Sequence, residues 1–174
     1  MNREYSREII CNLLEWGVEE FYVCAGARDI PLIETVCNIK SNHKIVFNHF
    51  EERSAAFYAL GRIKSLKKPV AIITTSGTAV GELLPAVMEA YYSNLPLILI
   101  TADRPKSYRS TWSPQSAEQK DIFGVYVSAC FDLSPGQTFD LSQVPINKPI
   151  HFNICFDIPL QSGDLKEIYF NHYE

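Results

Sequence analysis

The chain has 174 residues, 47% of them hydrophobic and 21% charged, with a formal net charge of -4. That length supports one well-cored domain and is short for two, and scattered Lys and Arg on an acidic background exclude an electrostatic footprint for nucleic acid or an anionic membrane surface. Five cysteines (Cys11, Cys24, Cys37, Cys130, Cys155) lie far apart with no C-x-x-C pair, which speaks against a zinc site or a disulfide framework and suits a reducing cytoplasm.

Residues 3–16 place Ile9, Ile10, Leu13 and Leu14 at helical spacing, and Gly17 ends that helix before the strand-type run FYVCA. The N-terminus carries charge throughout, unlike a secretory signal, and the longest apolar runs are strand-sized, too short to span a membrane. Gly26 turns the chain, and Pro31 suits the first turn of a helix reaching about Cys37. KIVFN is the next strand, followed by a helix over 48–66. PVAIITT reads as a buried strand and SGTAV as the turn out of it. GELLPAVMEAYYS reads as a helix bent at Pro85, with Leu84, Val87, Met88 and Tyr91 inward. PLILIT is another buried strand, ending in the loop ADRPKSYRSTWSPQSAEQ. A short helix over 119–123, a weaker strand over 125–131, a loop with Pro135 and Gly136, and the strand PIHFNICF complete the chain.

Continuous apolar runs that alternate with helices are the pattern of a parallel sheet covered on both faces. The expected fold is three-layer α/β, a mostly parallel sheet with helices on both faces, in which ligands gather at the carboxyl ends of the strands. Three loops should emerge there: GARD, SGTAV and ADRP.

The stretch FNHFEERSAAFYALGRIKSL carries an acid where a helix should be apolar. Asn48 and Glu51 have the spacing of a capping box. On a helical wheel Glu52 shares a stripe with Ala55, Ala56, Ala59 and Ile63, whereas Glu51 falls beside Ser54, Tyr58 and Arg62. Desolvating an unpaired carboxylate costs several kcal/mol, so an inward Glu52 needs a partner or a proton. The plainer account is that both glutamates favour the positive end of the helix dipole, at roughly 0.3 to 1 kcal/mol each.

The turn Ser76-Gly77-Thr78 at a helix start is a weak phosphate-cradle signal, lacking a P-loop lysine, and reads equally as a glycine turn with Ser76 or Thr78 as cap. Arg28 and Arg104 follow strand ends, and arginine grips carboxylates with two parallel hydrogen bonds. The alternative for Arg28 is a pair with Asp29 or plain solvation, and for Arg104 pairing with Asp103 or with loop carbonyls. His43 and His172 read as surface, His151 as an ordinary half-buried ring and His49 as packing at a helix start. No two histidines have metal-ligand spacing.

H-F-E-E-R on a helix, then T-S-G-T-A-V-x-x-L-L-P-A-V-x-E-A, then P-L-I-L-I-T-A-D-R-P resemble the N-terminal, pyrimidine-binding domain of thiamine diphosphate enzymes. Among these, the resemblance is to the menaquinone-pathway carboligases, the 2-succinyl-5-enolpyruvyl-6-hydroxy-3-cyclohexene-1-carboxylate synthases. It runs from Tyr22 to about Leu160, and T-A-D-R-P is its specific part. It implies that Glu52 hydrogen-bonds N1′ of the cofactor's aminopyrimidine, promoting the imino tautomer that takes the proton from the thiazolium C2, and that Ser76, Gly77 and Thr78 adjoin the cofactor. It also implies that Arg28, Arg104 and Gln115 bind the acidic substrates, 2-oxoglutarate and isochorismate.

The family usually has P-G-S-R-S where this chain has Ala25-Gly26-Ala27-Arg28-Asp29, and tends to have Asn where Pro114 precedes Gln115. A hydroxyl is thus lost and an acid added beside Arg28. The chain also lacks Gly-Asp-Gly, the start of the family's Mg2+ (or Mn2+) and diphosphate pattern, since Gly163-Asp164 is followed by Leu165. The resemblance therefore implies one domain of a longer three-domain homodimer or homotetramer, whose site is completed by the diphosphate-binding domain of another subunit. An acetolactate synthase or 2-oxo-acid decarboxylase relative, and a free-standing non-catalytic α/β interaction domain, are the alternatives.

Overall fold

The apolar runs become strands because each is long enough to cross a sheet buried on both faces. In the computed structural model, which describes residues 1–43 and 45–170, the elements in chain order are α1 (Asn2–Glu15), β1 (Glu20–Cys24), α2 (Ile30–Cys37), β2 (Ile39–Ser41), β3 (Val46–Asn48), α3 (Glu52–Leu66), β4 (Val70–Thr74), α4 (Thr78–Gly81), α5 (Leu84–Tyr92), β5 (Leu97–Asp103), β6 (Ala129–Leu133), β7 (Ile150–Cys155) and β8 (Ile168–Phe170). His172, and Lys44 at the start of the expected KIVFN strand, lie outside the described residues.

Six strands form one sheet in the order β3-β1-β4-β5-β7-β6, parallel at every pairing. Every residue of β1, β4, β5 and β7 is buried, the outcome expected of a sheet covered on both faces. Side chains alternate between two cores with a period of two. Phe21, Val23, Ala71, Ile73, Ile100 and Phe152 pack in the core with α1 and α2. Tyr22, Cys24, Ile72 and Leu99 pack in the other, with α3 and α5. The three-layer α/β expectation holds.

The connection from β1 leaves through α2 toward β3, while that from β4 leaves through α4 and α5 toward β5 on the other side. Strand order therefore reverses between β1 and β4. The crevice at their carboxyl ends, between residues 25–29 and 75–77, is where open α/β sheets bind ligands.

Three local expectations fail for identifiable reasons. The helix over 81–93 is broken: Leu83 N–H bonds to Val80 O at 3.2 Å, an i to i−3 contact that shifts the phase. The inward residues are consequently Leu83, Ala86, Val87 and Ala90. Met88 is instead exposed, Leu84 and Tyr91 are half-buried, and Pro85 stands harmlessly in the first turn of α5. Residues 119–123 form turns rather than a helix, with Asp121 at φ 60° and a 3-10 turn at Gly124–Tyr126, and this moves the following strand to β6. His151 is wholly buried, not half-buried, because Phe123 packs edge-on against its ring and Thr101 Oγ1 bonds its Nε2. No expectation covered β2 and β8, which pair as a small parallel sheet whose three-residue strands are too short to carry a periodic signal.

Candidate functional site

Helix α3 starts at Glu52 because the chain stays extended through Glu51 (φ −134°, ψ 130°). Asn48 consequently ends β3 instead of capping α3, and the expected capping box does not form. Glu51 is itself the cap: its carboxylate accepts from Arg53 N–H at 3.0 Å and Ser54 N–H at 2.7 Å. Those bonds, those from Ser54 foremost, hold its pKa below the usual carboxylate range. The stripe behaves as the wheel requires, with Ala55, Ala56 and Ala59 fully buried and Ile63 nearly so.

Glu52 heads that stripe. It is half-buried and makes no hydrogen bond or ion pair among the described residues. Its charge reaches the end of β1. Burial, reinforced by Glu52, pushes the Cys24 thiol up to about 12. Burial likewise raises Asp29 to about 7 against the pull of the Gly26 N–H, with Glu52 adding to the rise. His49 Nδ1 is buried without a partner, and Phe50, Phe57 and Tyr58 present exposed rings on the same segment.

The loop after β1 presses on the turn after β4. A Cβ on Gly26 would lie 2.5 Å from Thr75 Cβ, so only glycine fits this approach. Arg28 N–H donates to Thr75 Oγ1 at 3.3 Å and its Nη1 donates to Phe156 O at 3.1 Å. Arg28 does not pair with Asp29. The acid instead turns inward, fully buried, with Oδ1 accepting from Gly26 N–H at 2.9 Å and Oδ2 unpartnered. The negative charge expected beside Arg28 is thus withdrawn from the solvent side. Burial lowers the pKa of Arg28, and the nearby Arg104 cation lowers it further; the two residues follow the carboxyl ends of the parallel strands β1 and β5.

Three expected residues are directly bonded. Arg104 Nη1 donates to Ser76 Oγ at 2.8 Å and to Gln115 O at 2.6 Å, Ser76 Oγ donates to Gln115 O at 3.1 Å, and Gln115 Nε2 donates to Ser76 O at 3.3 Å. Gly77 has φ 87°, and a Cβ there would meet Gln115 O at 2.9 Å. It is the cap residue of α4, without a side-chain cap bond, and Thr78 is exposed in the first turn. Neither Ser76 nor Thr78 caps the helix.

Beside Arg104 opens a cavity of about 550 Å3 lined in part by Tyr108, Arg109, Trp112, Ser113 and Glu118. Of its two arginines, Arg109 is committed: it forks Asp132 at 2.9 and 2.5 Å. Burial would push the Asp132 carboxyl up, but the Arg109 and Asn153 hydrogen bonds outweigh it and hold the group well below the usual range. Arg104 pairs with Asp103 only through its backbone N–H, at 2.7 Å. Its Nε and Nη2 make no hydrogen bond among the described residues and are the donors available to an acidic ligand.

A buried polar layer beneath these residues was not foreseen. Gln119, Asn153 and Asp103 are 0, 0 and 4% exposed and bond to one another and to the turn above. Asn153 within PIHFNICF and Asp132 within ACFDL carried the available signal, since a polar residue inside an otherwise apolar strand requires a partner. Among the described residues no group of three or more His, Cys, Asp or Glu side chains is placed to hold a metal ion. No helix among them is long and apolar enough to cross a membrane.

The profile of the family described as thiamine pyrophosphate enzyme, N-terminal TPP binding domain, matches residues 3–125. The chain belongs to this family. Thiamine pyrophosphate and thiamine diphosphate are the same cofactor, and the match spans β1, α3, β4 and β5, the elements that present Glu52, Ser76 and Arg104. Similar curated relatives carry the name 2-succinyl-5-enolpyruvyl-6-hydroxy-3-cyclohexene-1-carboxylate synthase. One from Bdellovibrio bacteriovorus is 48% identical over 169 residues, 97% of this chain and 32% of the relative. One from Akkermansia muciniphila is 44% identical over 146 residues, 82% of this chain and 27% of the relative. One from Rubrobacter xylanophilus is 38% identical over 172 residues, 91% of this chain and 30% of the relative. The chain thus spans about a third of the length of the relatives it matches.

Proposed function

We propose that this thiamine pyrophosphate-binding chain is the pyrimidine-binding part of a longer cytoplasmic 2-succinyl-5-enolpyruvyl-6-hydroxy-3-cyclohexene-1-carboxylate synthase. That enzyme decarboxylates 2-oxoglutarate and adds the succinyl unit to isochorismate. The observation that carries the reading is Glu52, a half-buried carboxylate over an alanine-lined face with no partner of its own among the described residues. Such a group is stable when a ligand supplies its hydrogen-bond partner. The residues present fit the cofactor's pyrimidine end. Glu52 can take up a ring N–H, the unpartnered His49 Nδ1 lies on the same segment, and the Ser76-Gly77-Thr78 turn flanks the crevice from β4.

Thiamine diphosphate, when bound, would supply a C2 nucleophile for the 2-oxo carbon and an electron sink for the bonding pair left behind when CO2 departs. The role assigned to Glu52 is to keep a proton shared with the pyrimidine ring, a general acid-base function at a fixed atom. Arg28, Arg104 and Gln115 are assigned to the acidic substrates, with Arg104 Nε and Nη2 directed to a carboxylate. The Gly77 N–H already donates to Gln119 at 2.9 Å, and α4 has only four residues. As the resemblance implies, the diphosphate and its Mg2+ or Mn2+ are assigned to the diphosphate-binding domain of another subunit, in a homodimer or homotetramer. The exposed Phe50, Phe57 and Tyr58 on the same segment as Glu52 are apolar surface that such a subunit would cover.

The test is exchange of the cofactor's C2 proton in the longer enzyme. Glu52→Gln is nearly isosteric and should slow exchange by about 10² to 10⁴-fold without loss of fold. Glu51→Gln keeps a cap acceptor and should change it little. Slower exchange in Glu51→Gln than in Glu52→Gln would refute the assignment.

A further inference from the structure

We propose that Gln119 is the positioning residue of this site, holding the turn 75–77 and the Arg104 guanidinium in one fixed register. This rests on the reading of Arg104 as the substrate-binding arginine. Gln119 is fully buried and uses its whole side-chain amide. Oε1 accepts the Gly77 N–H at 2.9 Å, while the two Nε2 hydrogens go to Ala102 O at 3.2 Å and Asn153 Oδ1 at 2.9 Å. One side chain thereby ties the loop after β4 to the ends of β5 and β7.

The bonds continue into a closed ring. Asn153 Nδ2 donates to Asp103 Oδ2 at 3.0 Å, and Asp103 Oδ1 accepts the Arg104 backbone N–H at 2.7 Å. Arg104 Nη1 then returns to Ser76 Oγ at 2.8 Å, the residue beside Gly77. Each bond's polarity is dictated. Asp103 only accepts, so Asn153 must present Nδ2 to it and Oδ1 to Gln119; Gln119 must then donate toward Asn153 and accept from Gly77. Only a side chain with an acceptor at one position and donors at the other satisfies both neighbours. Arg109 and Asp132 lie outside the ring but brace it, since Asn153 Nδ2 also donates to Asp132 Oδ1 at 2.9 Å.

The dictated polarity gives a test that a merely space-filling role would not meet. In Gln119→Glu, a protonated carboxyl reproduces one acceptor and one donor, whereas the ionised form points a second acceptor at Asn153 Oδ1 and Ala102 O. The groups around it are Asp103 on β5, Asp132 on β6, Arg104 and Arg109 in the loop after β5, and His151 on β7, which burial keeps neutral by lowering it to about 3. Gln119→Glu should therefore keep the bond to the Gly77 N–H at low pH, with one donor fewer than the parent, and fail as pH rises.

Two readouts separate the claims. In the 174-residue chain, amide exchange at Gly77 measured by NMR should keep its parental protection factor in Gln119→Glu at pH 5 and lose at least tenfold by pH 8. In Gln119→Leu it should be lost at both. In the longer enzyme, KM for the acidic substrates should rise at least tenfold over the same interval in Gln119→Glu, with kcat within about threefold of the parent. Gln119→Leu, checked for fold by circular dichroism, should show the KM defect at every pH. An active parent together with pH-independent, parent-like exchange and KM in Gln119→Glu would overturn the proposal. An inactive parent with the exchange signature intact would instead overturn the functional reading and leave the ring standing.

Discussion

Asp29 converts burial at this site into a pH dependence of folding. Its carboxyl is fully buried, one oxygen bonded to the Gly26 N–H and the other unpartnered, and its pKa is raised from 3.8 to about 7, by burial first and by Glu52 in addition. A folded-state pKa above the unfolded value means that the native chain holds the proton more tightly. The stability linked to Asp29 is accordingly complete below about pH 4, falls by about 1.4 kcal/mol per unit as pH rises, and is gone above about pH 7. Roughly three units give a total near 4 kcal/mol, a large fraction of the 5 to 15 kcal/mol typical of a domain. Asp29→Asn keeps the acceptor for Gly26 and cannot ionise. Whatever its unpartnered Nδ2 costs is independent of pH. Urea unfolding of the 174-residue chain and of Asp29→Asn at pH 4.5, 6 and 7.5 isolates the effect. The stability of the variant relative to the parent should climb by about 3 to 4 kcal/mol over that range. A constant difference would refute the reasoning, because it would mean that Asp29 ionises as in water and is not held in the interior.

Arg104→Ala in the longer enzyme should lower kcat/KM for an acidic substrate by an amount equivalent to about 2 to 5 kcal/mol while leaving cofactor affinity intact; unchanged kinetics with both substrates would make Arg104 only a strut for Ser76 and Gln115. The 174-residue chain alone should show no turnover, and calorimetry with Mg2+ and thiamine diphosphate should find a dissociation constant weaker than about 10 μM. Low micromolar binding, near -8 kcal/mol, would show that the diphosphate and metal contacts lie within this chain after all.

The sequence alone determined the layer architecture and the place of Glu52 at the head of an alanine stripe. Apolar runs such as PVAIITT and PLILIT have no polar face to give to solvent, so they must be strands covered on both sides, and the alternating helices then require parallel connections. Glu52 was legible because a single carboxylate interrupts an alanine stripe of period 3.6, a signal contained in one segment. Local bonding decided what that signal could not. The extended backbone at Glu51, with its side chain folded onto Arg53 and Ser54, made Glu51 the cap in place of Asn48, yet left the wheel unchanged.

Only the tertiary structure decided the partners. Whether Arg28 pairs with Asp29 depends on whether the acid can be taken inside, which the approach of Gly26 to Thr75 permits. Whether Arg104 is a free fork or a strut depends on Ser76 and Gln115, 28 and 11 residues away in sequence. The ring through Gln119, Asn153 and Asp103 joins a loop to two strands, and of its members only Asn153 stood out in the sequence; His151 is buried against Phe123 and Thr101, which only the fold brings to it. Helical and strand periodicities are properties of one segment and survive in the linear sequence. Hydrogen-bond partners across 11 to 50 residues are fixed only when sheet order brings the strand ends together, so the candidate residues could be singled out one by one and their connectivity could not.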